Sequence, residues 1–78
     1  MKVTLPSLKL ALSTNIKRLR KEKGISQEKL ALKADIDRSY MSEVERSLAN
    51  PSIEALIKIG NALDVTPSEL LQLGKKRL

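Results

Sequence analysis

Helix-capping residues recur along this 78-residue chain at intervals that leave room only for short helices. Ser26, Asp37 and Ser52 each stand directly before a run whose apolar residues follow helical spacing. The stretch "TPSE" at residues 66–69 combines a capping box with a proline at the first helical position. No segment sustains the period-two alternation of a strand. The sequence therefore predicts one all-α domain, residues 1–78, built from five short helices.

The apolar positions predict which side of each helix is buried. In the first helix they recur every three or four residues before Gly24, at Leu5, Leu8, Leu12, Ile16 and Leu19. The second helix covers "QEKLALKA", and the third covers "RSYMSEVERS" with an apolar side of Met41, Val44 and Leu48. The apolar positions of the fourth helix are Ile53, Leu56, Ile57, Ile59, Ala62 and Leu63. Leu70, Leu71 and Leu73 begin the fifth helix, and a basic tail, "GKKRL", occupies residues 74–78.

The composition excludes several kinds of site. Cysteine and histidine are both absent, which removes zinc fingers, zinc hydrolases, disulfide frameworks and Ser-His-Asp triads. The sequence offers no credible nucleophile–base pair, so we expect no enzymatic activity, metal, cofactor or small-molecule ligand. The formal net charge of +6 favours a polyanionic partner, although the same charge could serve solubility alone.

The N-terminal stretch bears on where the protein acts. No apolar run approaches the ~20 residues that span a bilayer. "MKVTLPSLKLALSTN" resembles a signal peptide only weakly, because Lys9 interrupts its apolar run. We therefore expect a cytoplasmic protein without a membrane partner.

The second and third predicted helices are joined by a turn of only three residues, 35–37. Such a connection suits a helix-turn-helix, in which the two helices cross steeply. The crossing requires small residues where the backbones approach, and Ala31 and Ala34 provide them. It also requires apolar side chains from the turn and the following helix, here Ile36, Met41 and Val44. An ordinary helical hairpin inside a bundle is the alternative.

Arg38 breaks a local rule of helix stability. It directly follows the predicted N-cap Asp37, where a cation opposes the positive end of the helix dipole at a cost of about 0.3–1 kcal/mol. A residue that breaks such a rule without local compensation tends to lie where function requires it. The outward side of this helix also carries Ser39, Ser42 and Glu43.

Four separated motifs resemble one known family. "NIKRLRKEKGISQEKLALKA", "DRSYMSEVER", "NPSIEALIKIGNAL" and "TPSELL" together resemble the lambda-repressor-like, Xre-type helix-turn-helix domain from about Leu12 to Leu71. Within that family, "DRSYMSEVER" is most similar to the controller proteins of restriction-modification systems. The resemblance implies a homodimeric regulator that binds a palindromic operator in double-stranded DNA through its third helix. A toxin–antitoxin autorepressor and a protein–protein adaptor with the same fold are alternatives.

Matching positions imply individual roles. Arg38 and Ser39 match base readers, and Ser42 and Glu43 are expected to read bases because they lie on the outward side of the same helix. The expected contacts to the DNA backbone are Gln27, Tyr40 and Arg46. Arg20 and Glu45 match a structural ion pair that ties the first helix to the third. Glu43 could accept from cytosine N4 or simply repel phosphate. Tyr40, the sole aromatic residue, could instead be part of the core, and Gln27 could be only a good first-turn residue.

Two positions depart from what helices and this family usually prefer. The family favours glycine, at a positive φ, where this chain has Asp35, and Asp tolerates that region better than most residues. Gly60 lies inside the fourth helix at a cost of about 1 kcal/mol relative to alanine, which indicates close packing there.

The C-terminal apolar residues predict a dimer interface. Helix five and the end of helix four carry more apolar surface than a small core can hide, namely Val65, Leu70, Leu71 and Leu73. Filling of the helical bundle is the alternative for some of these residues.

Overall fold

The structure, a computed structural model, describes residues 2–74 as an all-α arrangement of five helices. They are α1 (Leu5–Glu22), α2 (Gln27–Ala34), α3 (Arg38–Glu45), α4 (Ile53–Leu63) and α5 (Pro67–Leu70). The fold class predicted from the sequence is therefore confirmed. Apart from Gly74, the predicted basic tail lies outside the described residues. No helix within residues 2–74 is long and apolar enough to cross a membrane.

The predicted caps begin the helices as expected. Ser26, Asp37, Ser52 and Thr66 each accept a hydrogen bond from a backbone N–H of the first turn that follows. In α1 the same role belongs to Thr4, which forms a capping box with Ser7. The sequence did not single out Thr4, because Ser7 replaces the Glu or Gln that usually marks a capping box.

The first four helices all end in the same way. In each, a residue in the left-handed region follows the last turn, and its own N–H and that of the next residue donate to carbonyls of that turn, as in a Schellman motif. The left-handed residues are Gly24, Asp35, Ser47 and Asp64. Only one of them is glycine, so the other three ends hold a conformation that side chains disfavour.

The end of α3 corrects a prediction. The helix ends at Glu45 rather than extending through Ser47, which adopts a φ of 62°. The N–H of Leu48 then donates to the carbonyl of Glu43 at 2.8 Å, which reverses the chain. Leu48 consequently lies outside the helix with 62% of its surface exposed, so the prediction that it belongs to the apolar side of α3 is wrong.

A single core lies where the five helices meet. Its buried apolar residues are Leu12, Ile16, Leu30, Ala31, Ala34, Met41, Val44, Leu56, Ile59, Leu63 and Leu70. Besides Leu48, four predicted core positions lie outside it. Leu5 and Leu8 are in the first turn of α1, before the helix reaches the core, and Ile53 and Ile57 lie on a side of α4 that no other described helix covers.

The C-terminal segment also differs from expectation. Helix α5 ends at Leu70, so Leu71 and Leu73 follow it rather than extend it. Leu70 is completely buried in the core of its own chain, and the prediction that it lies in a dimer interface is therefore wrong. Asn15 fixes the segment to α1, since its Nδ2 donates to the carbonyls of Leu70 at 2.8 Å and Gln72 at 3.0 Å.

Gly60 lies directly against the turn that follows α4. A Cβ atom there would lie 2.7 Å from the carbonyl oxygen of Val65, far inside van der Waals contact. The close packing predicted from a glycine inside a helix is confirmed.

Candidate nucleic-acid interface

The turn between α2 and α3 sets the angle at which α3 leaves the domain. Asp35 adopts the left-handed conformation, with φ 57° and ψ 49°, as predicted for the position where the family prefers glycine. The N–H of Asp35 donates to the carbonyl of Leu32, and that of Ile36 donates to the carbonyl of Ala31 at 2.9 Å. Ile36 packs against the core, which anchors the turn. The predicted helix-turn-helix geometry is thus present.

The first turn of α3 is held by its cap. The carboxylate of Asp37 accepts from the N–H groups of Ser39 at 2.9 Å and Tyr40 at 3.3 Å. Arg38 is therefore the first residue of a well-defined helix, and its side chain leaves the tip of α3 with 69% of its surface exposed.

Helix α3 separates a buried side from an open one. Met41, Val44 and Glu45 are buried, while four other residues face an open depression between the starts of α2 and α3. The depression has a volume of about 580 Å³ and is lined by Gln27, Arg38, Ser39, Ser42, Glu43 and Arg46. The structure thus brings together all four residues expected to read bases and two of the three expected to contact the DNA backbone.

Tyr40 is the expected site residue that does not line the depression. It is half-buried and packs against the core. Its position favours the alternative in which the sole aromatic ring fills space beneath α3, and a contact between its hydroxyl and DNA stays a prediction.

Arg38 is only loosely held. Its Nη1 lies 3.9 Å from Oε2 of Glu28, and the Glu28 side chain is 74% exposed. Among the described residues, the carboxylate nearest to Arg38 is thus on α2. Since an exposed ion pair contributes only about 0–1 kcal/mol, the guanidinium can exchange Glu28 for another acceptor at little cost.

A buried polar network behind the depression joins three helices. Glu45, which is 3% exposed, accepts from Arg20 through two hydrogen bonds: Nε to Oε2 at 2.9 Å and Nη2 to Oε1 at 3.1 Å. Nη1 of Arg20 also donates to the carbonyl of Ile25 at 3.2 Å. The ion pair expected between the first and third helices is present, with the two-pronged geometry that makes Arg–carboxylate pairs strong.

Gln27 connects this network to the open depression. Its Nε2 donates to Oε1 of Glu45 at 3.2 Å, which fixes the side chain at the start of α2. Gln27 therefore has a structural contact that the sequence did not predict. Its expected contact with a DNA phosphate is compatible with this geometry, because an amide nitrogen carries a second hydrogen.

Two serine hydroxyls, Ser13 in a buried contact and Ser47 in a part-buried one, hold the end of α3 against α1. The hydroxyl of Ser13 donates to the carbonyl of Glu45 at 3.0 Å, and that of Ser47 donates to the carbonyl of Lys9 at 3.3 Å. The sequence predicted neither contact, because a serine that bonds to a distant carbonyl has no distinctive spacing. The one available signal was that Ser13 directly follows Leu12, a residue of the apolar stripe of α1.

Comparison with known sequences identifies the family. The sequence model of the helix-turn-helix family matches residues 16–70, which include α2, α3 and their turn. The chain belongs to this family. Its Xre-type members resemble lambda repressor and are DNA-binding transcription regulators rather than enzymes, in agreement with the resemblance drawn from the sequence.

Two curated relatives show how much of the chain is shared. The HTH-type transcriptional regulator SinR of Bacillus subtilis is 51% identical over 57 residues, which are 72% of this chain and 51% of SinR. Control protein C.BamHI of Bacillus amyloliquefaciens is 38% identical over 66 residues, which are 83% of this chain and 82% of that protein. The chain therefore spans about half the length of SinR but most of C.BamHI.

Solved structures confirm the five-helix arrangement. The hypothetical transcription factor NHTF from Neisseria superposes with a TM-score of 0.83 at 34% identity, covering 94% of this chain and 84% of that one. SinR in complex with DNA superposes with a TM-score of 0.74 at 47% identity, covering 78% of this chain and 98% of that one.

Proposed function

We propose that this protein is a sequence-specific DNA-binding transcription regulator in the cytoplasm, which binds a palindromic operator as a homodimer with α3 in the major groove. The observation that carries the proposal is the open face of α3, where an exposed and loosely paired arginine stands at the helix tip beside two serines. Arginine and serine side chains can form hydrogen bonds with base edges. In a recognition helix, the N-terminal residues are those that reach the base edges in the major groove.

Each side chain of the depression has a chemical role in this proposal. Arg38 can donate two parallel hydrogen bonds to O6 and N7 of guanine, and Ser39 and Ser42 can donate to or accept from neighbouring bases. Glu43 can accept from N4 of cytosine. The net charge of +6 supplies the attraction to phosphate that brings the protein to DNA.

Gln27 and Arg46 also line the depression and are the proposed contacts to the DNA backbone. The N–H groups at the start of α2 and the positive end of its dipole favour phosphate at that point. Because Gln27 is held by Glu45, its amide would meet the phosphate without losing side-chain freedom on binding.

Among regulators, we favour a restriction-modification controller. C.BamHI matches over most of its own length, and "DRSYMSEVER" is the stretch that resembles controller proteins most. A methylase gene and an endonuclease gene beside this one would support that role, whereas a toxin gene would indicate an antitoxin.

Selection of bound DNA from a random duplex pool tests the proposal. The expected result is a palindromic consensus whose two half-sites are separated by about one helical turn. If no consensus is recovered and the affinity for all DNA sequences falls equally as salt rises, the protein does not recognise a specific DNA sequence. Failure to bind DNA at all would favour the protein–protein adaptor.

A further inference from the structure

One side of α4 is apolar and uncovered within the described chain. Helix α4 packs against α2 and α5 through the side that carries Leu56, Ile59 and Leu63. Ile53 and Ile57, four residues apart, point elsewhere and expose 74% and 47% of their surfaces. Covering these two β-branched apolar side chains with another surface would be favourable in water.

Two opposite charges lie beside these isoleucines. Glu54 and Lys58 are each one residue further along, and their side chains are 80% and 39% exposed. Within the chain the Nζ of Lys58 is 3.9 Å from Oε2 of Glu54, a long separation for an ion pair. The α4 face, defined here as Ile53, Glu54, Ile57, Lys58 and Asn61, thus carries an acid near its N-terminal end and a base nearer its centre.

We propose that the α4 face binds the same face of a second copy of this chain, with the two helices antiparallel. A two-fold axis near Ile57 would place this residue against Ile57 of the partner subunit. The same axis would place Glu54 against Lys58 of the partner subunit, and the reverse pair would form by symmetry. The face is therefore complementary to itself in charge, and its isoleucines would cover one another.

This inference rests on the proposed homodimeric function and assigns its interface. The depression at α2 and α3 contains no residue of α4, so pairing through the α4 face leaves both DNA-binding sites open. It also differs from the interface expected from the sequence, because Leu70 is buried in the core of its own chain and Val65 and Leu71 pack against that core.

The dimer should be weak in the absence of DNA. A stable interface buries about 800 Å² per partner, and one side of an 11-residue helix offers less than that. We therefore expect association in the micromolar range, strengthened when two half-sites on one duplex hold the copies together.

Sedimentation equilibrium without DNA tests the interface directly. The full chain should show a reversible monomer–dimer equilibrium, and Ile57→Asp should raise the dissociation constant at least tenfold. The matched control is Leu32→Asp, because Leu32 is also an exposed apolar helix residue, 78% exposed on α2, and lies outside the α4 face. A chain that stays monomeric at several hundred micromolar, or a dimer equally sensitive to both substitutions, would overturn the proposal.

Charge reversal tests the antiparallel register. Glu54→Lys and Lys58→Glu should each weaken self-association, because each places like charges opposite one another across the two-fold axis. Mixing the two single variants should restore association to near the wild-type constant, since every pair across the mixed interface is then opposite in charge. The pair within each chain stays broken in this mixture, so an absence of recovery would contradict the register.

Binding to DNA separates this inference from the proposed function. Ile57→Asp should bind a single half-site as tightly as the unchanged protein but lose the cooperative gain on the full palindrome. If Ile57→Asp and the unchanged protein gain the same affinity from the second half-site, the interface lies elsewhere, although the DNA-binding function stands. If neither recognises a specific half-site, the proposed function fails while the sedimentation result still decides the interface.

Discussion

Removing the Glu45 carboxylate should destabilise the domain more than any surface charge does. Glu45 is 3% exposed and accepts from Arg20 twice and from Gln27 once. Glu45→Ala would leave a guanidinium that is only 16% exposed without its counter-ion, and Gln27 would lose its acceptor. Breaking a buried ion pair by deleting one partner typically costs about 3–5 kcal/mol.

This magnitude is large for a small domain. Total stabilities are usually about 5–15 kcal/mol, and each kcal/mol shifts Tm by about 4–8 °C in a domain of 60–100 residues. We therefore expect Tm to fall by roughly 12 °C or more. Glu45→Gln keeps the shape and one acceptor oxygen, so its Tm should lie between that of the unchanged protein and that of Glu45→Ala.

Thermal unfolding followed by circular dichroism, with urea denaturation at low temperature, measures these effects. The control is Glu22→Ala, whose partner Arg18 lies at 3.3 Å with both side chains exposed. Exposed pairs of this spacing contribute only about 0.3–0.5 kcal/mol. If Glu45→Ala and Glu22→Ala lower Tm by the same few degrees, the buried network does not hold the helices together as argued.

Three further substitutions test particular contacts. Gly60→Ala should reduce the free energy of unfolding by about 1–3 kcal/mol and so lower Tm, because the new Cβ would meet the Val65 carbonyl. A higher Tm, as helix propensity alone would give, would contradict the packing. Asp64→Gly should raise Tm by several degrees, because it relieves a φ of 62° and removes an anion from a helix C-terminus; an unchanged Tm would show that this conformation is unstrained. Glu28→Gln should tighten binding to non-operator DNA severalfold in filter-binding titrations by releasing Arg38 and removing a repulsive charge; weaker binding would indicate that Glu28 positions Arg38 instead.

Local signals in the sequence were sufficient for the helix-turn-helix. Capping residues identify helix starts because the side chain and the N–H groups that it binds are only two or three residues apart. The left-handed Asp35 was expected from the resemblance to the family, which prefers glycine at this position of the turn. The face of α3 followed from helical periodicity once its start was known.

The sequence was less informative wherever the outcome depends on a distant neighbour. The end of α3 was missed because Ser47 gives no glycine signal for its left-handed conformation. Leu70 and Ile57 are equally apolar, yet one is buried and the other is exposed, and only the arrangement of the helices decides which. The contact of Gln27 with Glu45 joins residues 18 positions apart and has no local pattern.

The central claim, that the tip of α3 reads DNA sequence, is tested most directly by Arg38→Ala. Binding should be titrated on the selected operator and on a scrambled duplex at several salt concentrations, with Arg18→Ala as a control that removes an equal charge from an exposed site outside the depression. A bidentate contact to guanine contributes about 1–3 kcal/mol of discrimination. We therefore predict that Arg38→Ala weakens operator binding at least tenfold and relaxes one symmetric pair of base positions, while its affinity for scrambled DNA changes no more than that of the control. Equal losses on both duplexes, with the salt slope reduced by about one, would show that Arg38 contacts only phosphate and would contradict the claim.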